Sequence, residues 1–188
     1  MSERLTALTH QIIEGNILSF DEMSIAFGEI MDGNASPAQM AAFSVGLKMR
    51  GETPHDIAAG AAVLRQRALT ITPPQDSVDI VGTGGDGIGT FNISTATAFV
   101  IAGSGVPVAK HGNKAVSSKS GAADVLSALG ITIDCPFERL ETSLRDAHIC
   151  FLMAPRHHAA MRHVGPVRAD LKIRTIFNLL GPLSNPAL

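Results

Sequence analysis

The sequence predicts an α/β protein in which an all-helical subdomain precedes an α/β domain with a mainly parallel sheet. Helical periodicity with cap signals precedes residue 70, and short β-branched runs alternate with helical stretches after residue 77. A chain of 188 residues, 45% of them hydrophobic, can bury one sizeable core or two small ones. We expect residues 1–70 to form the helical subdomain, 71–77 a linker and 78–188 the α/β domain.

The helical subdomain is predicted from its start and stop signals. Apolar residues recur at helical spacing, and Gly15, Gly33 and Gly51 mark the ends of three helices. Three pairs of residues have the spacing of a capping box or come close to it: Ser19 with Glu22, Ser36 with Gln39, and Thr53 with Asp56. The pattern therefore indicates four short helices, each with an apolar face to bury.

The α/β domain is predicted from the alternation that follows the linker. Four apolar runs are typical of buried strands: residues 78–81, 106–109, 131–133 and 150–153. Helices are expected between and after them: residues 95–102, 121–129, 136–147 and 157–163. The chain then ends without a final strand or helix, so we expect a shortened protein in which the C-terminal part of the α/β domain is missing.

The charge of the chain excludes several classes of partner. A net charge of -2 and a pI near 6.4 argue against general affinity for nucleic acid or for anionic membranes. Nowhere do about 18 uncharged apolar residues follow one another, and no targeting segment is evident. We therefore expect a cytoplasmic protein with neither a membrane nor a nucleic-acid partner, in which any anion site is local.

A glycine-rich loop from Gly82 to Thr95 follows the first predicted strand. It contains the pattern G-x-G-x-x-G, which also occurs in dinucleotide-binding proteins. Here, however, the residue pattern of a helix begins only at Ser94, and no acidic residue follows at the distance required to bind the ribose hydroxyls of a dinucleotide. A Walker A motif is also excluded, because no Gly-Lys-Ser/Thr follows. What remains is a run of backbone N–H groups leading into a helix N-terminus, and both features attract phosphate.

A stretch with several basic residues and no acidic ones overlaps these glycines in the sequence. Residues 87–123 contain no Asp or Glu over 37 positions, but they include Lys110, His111, Lys114 and Lys119. Half of the 18 glycines lie between Gly82 and Gly121. Because the lysine-rich segment leaves the second predicted strand at its carboxyl end, where open α/β sheets bind ligands, the pattern indicates a polyphosphate cradle. Simple turn chemistry is the alternative explanation for the glycines.

Four sequence blocks, taken in order, resemble the anthranilate phosphoribosyltransferase family. They are Gly-Thr-Gly-Gly-Asp with Asn-Ile-Ser-Thr, Lys-His-Gly-Asn-Lys with Ser-Ser-Lys-Ser-Gly, Arg-Thr-Ile-Phe-Asn, and Gly-Pro-Leu-Ser-Asn-Pro. The resemblance spans essentially the whole chain and implies a fold of the nucleoside phosphorylase and phosphoribosyltransferase type. It also implies transfer of the phosphoribosyl group of phosphoribosyl pyrophosphate to anthranilate, a step of tryptophan biosynthesis.

The resemblance also implies the site residues. Anthranilate would face Gly82, Asn113 and Arg168, and Mg²⁺ would be ligated by the hydroxyl of Ser94. No nucleophile and no general base is implied, because positioning and charge neutralisation carry this reaction. The residues implied around phosphoribosyl pyrophosphate are Gly82, Gly85, Asp86, Thr90, Asn92, Ile93, Ser94, Thr95, Lys110, His111, Gly112, Asn113, Lys114, Ala115, Val116, Ser117, Ser118 and Ala122.

Two further implications concern partners and completeness. Members of the family resemble homodimers joined through the helical subdomain, so we expect this chain to pair in the same way. They also carry, downstream, an adjacent Asp-Glu pair that holds magnesium, and these 188 residues contain no such pair. A catalytically inactive, interaction-only relative and a pyrimidine nucleoside phosphorylase are the alternatives to the transferase.

Overall fold

The computed structural model describes residues 1–83, 91–114 and 121–187, which form two compact units. We call Met1–Ala68 with His158–Ser184 the helical unit, and residues 69–157 with the described residues after 184 the sheet unit. In chain order the elements are α1 (Glu3–Ile13), α2 (Phe20–Met31), α3 (Pro37–Arg50), α4 (Pro54–Gln66), α5 (Ile93–Gly103), β1 (Val108–Gly112), α6 (Ala122–Ala128), α7 (Phe137–Ala147), β2 (Ile149–Met153), α8 (Ala154–His157), a 3-10 turn (Ala159–His163), α9 (Gly165–Leu171), α10 (Ile176–Leu179) and a second 3-10 turn (Gly181–Leu183).

The four predicted helices of the helical unit are confirmed, and their caps form as the sequence predicts. The Ser19, Ser36 and Thr53 side chains each accept a hydrogen bond from the backbone three residues on, and the third residue closes each box in return. α1 packs on α3 and α2 packs on α4. Their apolar faces meet in one core that is centred on Phe27 and Phe43, both fully buried.

The helical unit also contains residues 158–184, which the sequence-based division places in the second domain. Val164, Val167, Ile176 and Phe177 are buried in the same core as α1 to α4. Burial of these apolar side chains stabilises the segment on the helices, because removing apolar area from water is favourable. The segment therefore belongs to the helical unit, unlike the sequence-based division, which has a single boundary at the linker 71–77.

The sheet unit is built on a parallel pair of strands with helices on both faces. β1 pairs with β2 in register from Val108 with Ile149 to Gly112 with Met153. One face carries Ala109, Cys150 and Leu152 and is covered by α7. The opposite face carries alternate residues and is covered by α5 and α6. The predicted parallel α/β architecture is thus confirmed.

Some predicted elements of the sheet unit differ in the structure. The segment 78–81 contributes a single parallel bridge, from Val78 to Val108, where a whole strand was predicted. The strand predicted over 131–133 is wrong, because Ile131 and Thr132 are exposed and irregular after Gly130. The helix predicted over 157–163 is divided between the end of α8 and a 3-10 turn. No helix among the described residues is long and apolar enough to cross a membrane.

Leu69 and His157 join two segments of the sheet unit by reciprocal hydrogen bonds. Leu69 N donates to His157 O at 2.9 Å, and His157 Nδ1 lies 2.6 Å from Leu69 O. Because a carbonyl oxygen can only accept, Nδ1 carries the proton in this contact. Burial, aided by the nearby Arg156, lowers the pKa of the fully buried His157 despite the opposing hydrogen bond to Leu69.

This histidine is expected to make stability depend on pH. Its folded pKa lies below the ordinary value of 6.5, so the unfolded chain binds more protons as pH falls below that value. Stability should therefore decrease as pH is lowered through 6.5 towards the folded pKa. His157→Asn retains a donor for Leu69 O and should flatten that dependence, measured by urea unfolding between about pH 7.5 and 5. His10→Asn, at an exposed position on α1, is the control. If both variants flattened the pH dependence of stability equally, that dependence could not be assigned to His157.

Candidate functional site

The carboxyl ends of three parallel segments lie at one edge of the sheet unit. The bridge at Val78 sets the segment 78–82 beside β1, and β2 pairs with the other side of β1. Gly82 and Asn113 directly follow two of these neighbouring segments. This is the edge at which open α/β sheets bind ligands, so the predicted glycine loop and the predicted lysine segment leave the sheet side by side.

Several of the predicted phosphate-binding residues lie outside the described residues. They are Gly85, Asp86, Thr90, Ala115, Val116, Ser117 and Ser118. The described part of the candidate site therefore consists of the two loop entrances at Gly82 and Asn113, and the two loop exits at the starts of α5 and α6.

The N-terminus of α5 is the first described anion-binding element. Asn92 caps this 11-residue helix, since its Oδ1 accepts a hydrogen bond from Thr95 N at 3.3 Å. Ile93 is 60% exposed and Ser94 is half-buried in the first turn. Ile93 N donates to Phe91 O at 2.7 Å, so among the described residues the Ser94 N–H is the first-turn donor left to favour a negative ligand together with the helix dipole.

Lys110 is used differently from a simple phosphate ligand. Its side chain is buried, with 3% exposed, and its Nζ donates to Ile80 O at 2.7 Å. Burial lowers the pKa of Lys110, and the nearby carboxylate of Asp79 opposes that shift. The ammonium therefore ties β1 to the segment that enters the glycine loop, and two of its three N–H donors are left for other partners.

The end of β1 is shaped by close packing and by backbone contacts. A Cβ atom on Gly112 would lie 2.8 Å from the Phe151 ring, so only glycine fits at this position of β1 without moving the ring. Asn113 O accepts a hydrogen bond from Ala123 N at 3.2 Å, which joins the loop entrance to the start of α6. Asn113 Oδ1 accepts from Lys114 N at 2.8 Å, and the exposed Asn113 amide group faces outward from a fixed turn.

A polar network at this edge was missed by the sequence reasoning. Asp79 accepts hydrogen bonds from His111 N at 3.1 Å and from Asn185 Nδ2 at 2.8 Å. Burial raises the pKa of Asp79, while the Asn185 and His111 hydrogen bonds and the charge of Lys110 lower it. A signal was available, because Asp79 is the one charged residue in the apolar run 78–81.

Thr95 and Lys110 also border a mainly apolar cavity of about 260 Å³ beneath the sheet edge. Its other walls include Phe99, Leu126 and Phe151. Thr95 Oγ1 is buried and has no hydrogen-bond partner among the described residues. The cavity is too apolar to hold a polyphosphate.

Arg168 lies in α9 of the helical unit. It is half-buried, and its guanidinium has no hydrogen bond or ion pair within the described residues. Burial lowers the pKa of Arg168. A partly desolvated guanidinium without a partner is suited to a carboxylate ligand, which it can bind through two parallel hydrogen bonds.

Ser94 is the described candidate for a magnesium ligand. Its hydroxyl oxygen is a hard donor of the type that Mg²⁺ binds, and it lies in the first turn of α5, at the positive end of the helix dipole. The described ranges hold no cluster of three His, Cys, Asp or Glu residues that could cage a metal. As a single oxygen donor, Ser94 fits a magnesium ion that takes most of its ligands from elsewhere, since Mg²⁺ is usually bound by few protein groups.

Two domain families match the chain along its length. The helical bundle domain of a glycosyl transferase family matches residues 6–68, and the a/b domain of that family matches residues 74–188. The anthranilate phosphoribosyltransferase of Parvibaculum lavamentivorans is 57% identical over 178 residues, which cover 95% of this chain and 52% of that protein. The enzyme of that name from Azospirillum brasilense is 57% identical over 183 residues, covering 97% and 51%.

Solved structures give the same result. An anthranilate phosphoribosyltransferase from Thermus thermophilus matches with a TM-score of 0.90 and 47% identity, covering 96% of this chain and 55% of that one. The enzyme from Saccharomyces cerevisiae, in complex with PRPP and Mg, matches with a TM-score of 0.89 and 32% identity, covering 99% and 56%. The chain thus spans about half the length of the relatives it matches. From its two matched domains, the chain belongs to the glycosyl transferase family that joins a helical bundle to an a/b domain.

Proposed function

We propose that this chain acts in the transfer of the phosphoribosyl group from phosphoribosyl pyrophosphate to anthranilate, the step of tryptophan biosynthesis that yields N-(5-phosphoribosyl)anthranilate and pyrophosphate. The observation that carries the proposal is the similarity of nearly the whole chain to anthranilate phosphoribosyltransferases. The arrangement at the sheet edge supports it, because two loops with phosphate-binding character leave neighbouring parallel segments there.

Phosphoribosyl pyrophosphate would bind between the entrances and exits of these loops. The α5 N-terminus offers the Ser94 N–H and the positive end of the helix dipole, and the segment from Lys110 to Lys114 offers positive charge. Gly82 carries no side chain that would keep its backbone from the phosphates, whereas Gly112 lets the end of β1 lie close to the Phe151 ring. Asp86, outside the described residues, would bind a ribose hydroxyl or a water held by magnesium, since a carboxylate beside phosphate is otherwise repulsive.

Anthranilate would be recognised through its carboxylate. Within the part of the chain that the structure describes, the Arg168 guanidinium has no hydrogen-bond or ion-pair partner, which supports this role. Gly82 and Asn113 are the other residues that the family resemblance implies for this substrate. In the reaction, the amine nitrogen of anthranilate forms the bond to the anomeric carbon as the bond to the pyrophosphate oxygen breaks. The electron pair of that bond leaves with pyrophosphate, and the amine releases a proton to solvent.

The residues of the chain would act by positioning and by stabilising charge. Pyrophosphate gains negative charge as it departs, and the helix N-terminus with the lysines would offset that charge in the transition state. Bound magnesium, held by Ser94 and by phosphate oxygens, would supply further neutralisation. The chain need not supply a nucleophile or a general base, because the amine of anthranilate is itself the nucleophile and is neutral and reactive near neutral pH.

Two further parts of the proposal are a homodimer formed through the helical unit and a cytoplasmic location. The helical unit exposes several large apolar side chains that a second copy would remove from water. They are Ile13, Ile17, Phe20, Ile25 and Met49, between 43% and 83% exposed.

The decisive experiment is a calorimetric titration of phosphoribosyl pyrophosphate into the chain, with and without Mg²⁺. We expect saturable binding that weakens by about tenfold or more without the metal, since charge-assisted contacts contribute about 1.5–3 kcal/mol each. Ser94→Ala should weaken the Mg²⁺-dependent binding to a similar degree. AMP and NAD⁺, titrated in the same way, should bind much more weakly.

Ser104→Ala is the matched control, because Ser104 lies at the opposite end of α5 and its Oγ donates to Ile101 O within that helix. Its affinity for the substrate should equal that of the wild type. The proposal fails if the folded wild-type chain does not bind phosphoribosyl pyrophosphate, or if magnesium makes no difference to binding.

A further inference from the structure

We propose that Asn185 is a positioning residue for phosphoribosyl pyrophosphate. Together with Asp79 and Lys110, it replaces backbone pairing at the sheet edge by side-chain hydrogen bonds and so fixes the segment ends that lead to Gly82 and Asn113, the entrances of the two substrate loops. The inference rests on the proposed function for its ligand, although its geometry does not depend on that function. Asn185 belongs to the block Gly-Pro-Leu-Ser-Asn-Pro, but neither Asn185 nor Asp79 is among the site residues that the family resemblance implies.

Backbone pairing between the first segment and β1 starts normally. Val78 N donates to Pro107 O at 2.9 Å, and Ala109 N donates to Val78 O at 2.9 Å. In a parallel ladder the next two bonds would run from Ile80 N to Ala109 O and from His111 N to Ile80 O. Backbone pairing stops at Val78, which forms only an isolated bridge.

Side chains take over three of the four backbone groups that the ladder leaves unpaired: Ala109 O, His111 N and Ile80 O. Ala109 O accepts from Asn185 Nδ2 at 2.8 Å, and His111 N donates to Asp79 Oδ1 at 3.1 Å. Ile80 O accepts from Lys110 Nζ at 2.7 Å. The strands therefore separate without leaving these buried backbone groups unsatisfied, which would be costly. The separation begins just before Gly82 and Asn113, where the two substrate loops leave the sheet.

Asn185 connects the side-chain hydrogen bonds that replace the backbone ladder. Its Nδ2 donates one hydrogen to Ala109 O and the other to Asp79 Oδ2, with a nitrogen–oxygen distance of 2.8 Å in both bonds. Its Oδ1 accepts from Ala187 N at 2.8 Å, which fixes the orientation of the amide. The residue is 1% exposed. An amide is the side chain that can donate twice and accept once in this geometry, so aspartate, leucine and alanine each leave at least one group unpaired.

The test compares affinity for Mg²⁺-bound phosphoribosyl pyrophosphate with amide hydrogen exchange at His111. Asn185→Ala should weaken binding by at least about tenfold, since it removes a charge-assisted hydrogen bond behind the loop. It should also accelerate exchange of the His111 amide in the absence of ligand. Asn185→Asp should be worse at neutral pH, because two carboxylates then face each other, and should recover as pH falls and one of them becomes a donor.

A rescue separates positioning from general destabilisation. Asp79→Asn added to Asn185→Asp restores a donor between the two side chains, so the double variant should bind better than Asn185→Asp alone. Asn178→Ala is the control, because the Oδ1 of Asn178 accepts from Thr175 N in the helical unit. It should lower stability without changing affinity.

Asn185→Ala with unchanged His111 exchange would overturn the proposal. An Asn185→Asp variant whose affinity is independent of pH and is not improved by Asp79→Asn would do the same. If the wild-type chain binds no phosphoribosyl pyrophosphate, the proposed function fails, whereas exchange at His111 still decides whether Asn185 holds this strand end.

Discussion

Asp56→Ala is expected to lower the free energy of unfolding by about 3–5 kcal/mol, the usual cost of leaving one partner of a buried ion pair alone. The Asp56 side chain is fully buried and its Oδ2 pairs with Arg50, whose side chain is 6% exposed. The same oxygen accepts from Thr53 N at 2.8 Å and so completes the cap of α4. The variant loses the cap contact and leaves the Arg50 guanidinium without its carboxylate partner. Among the described residues, that guanidinium then bonds only to backbone carbonyls such as Asn16 O.

Asp32→Ala provides the matched control for this prediction. Asp32 also pairs with an arginine, Arg67, at 2.9 Å, but the two side chains are 51% and 29% exposed. Exposed pairs contribute about 0–1 kcal/mol, so this variant should unfold close to the wild type. Urea unfolding followed by circular dichroism measures both variants. Equal losses would mean that burial of the pair around Asp56 does not determine its contribution.

The helical start could be predicted from the sequence because its signals are local. A cap involves a serine or threonine and the residue three positions on, and periodicity is visible within two turns. The predictions at Ser19, Ser36 and Thr53 are accordingly confirmed. That residues 158–184 join the same core was not predictable in this way, because apolar residues such as Ile176 and Phe177 do not specify which element they pack against.

Strands were harder to predict because a strand exists only beside a partner. The run 131–133 is β-branched, yet it follows Gly130 at φ +79° and does not pair: Ile131 and Thr132 are exposed and Ile133 is only partly buried. The segment 78–81 has a partner but stops pairing after Val78, since side chains take the hydrogen bonds that a strand would make. Propensity describes how well a residue fits a pleated surface, and it does not show whether a neighbouring strand is present.

In the candidate site, too, the features with a local sequence signal could be predicted and the long-range contacts could not. Glycine and lysine positions in the two loops were visible as a local pattern, and Gly82 and Asn113 do lie at neighbouring segment ends. The contact between Asp79 and Asn185 joins residues 106 positions apart, so no local pattern could reveal it. Lys110 was predicted as a phosphate ligand, and its tie to Ile80 O depends on a neighbouring segment that only the fold supplies.

Gly60→Ala is expected to destabilise the chain by about 1–3 kcal/mol, although glycine to alanine in a helix interior ordinarily stabilises by about 1 kcal/mol. An added Cβ would lie 2.8 Å from Phe27 Cζ and 3.0 Å from Leu180 Cδ1. The Phe27 ring cannot easily move, because it is fully buried between the edge-on rings of Phe43 and Phe177, with centroids at 5.5 and 5.8 Å.

Gly46→Ala makes the same change in the interior of α3, where the new Cβ would meet Ile13 at 3.4 Å and Ile12 at 3.5 Å, ordinary contact distances. This variant should therefore show the normal helix preference and gain up to about 1 kcal/mol. Opposite signs for two identical substitutions, measured by urea unfolding, would locate the tight packing at the contact of α2 with α4. If Gly60→Ala stabilised as much as Gly46→Ala, the aromatic cluster around Phe27 would have room that the structure does not show.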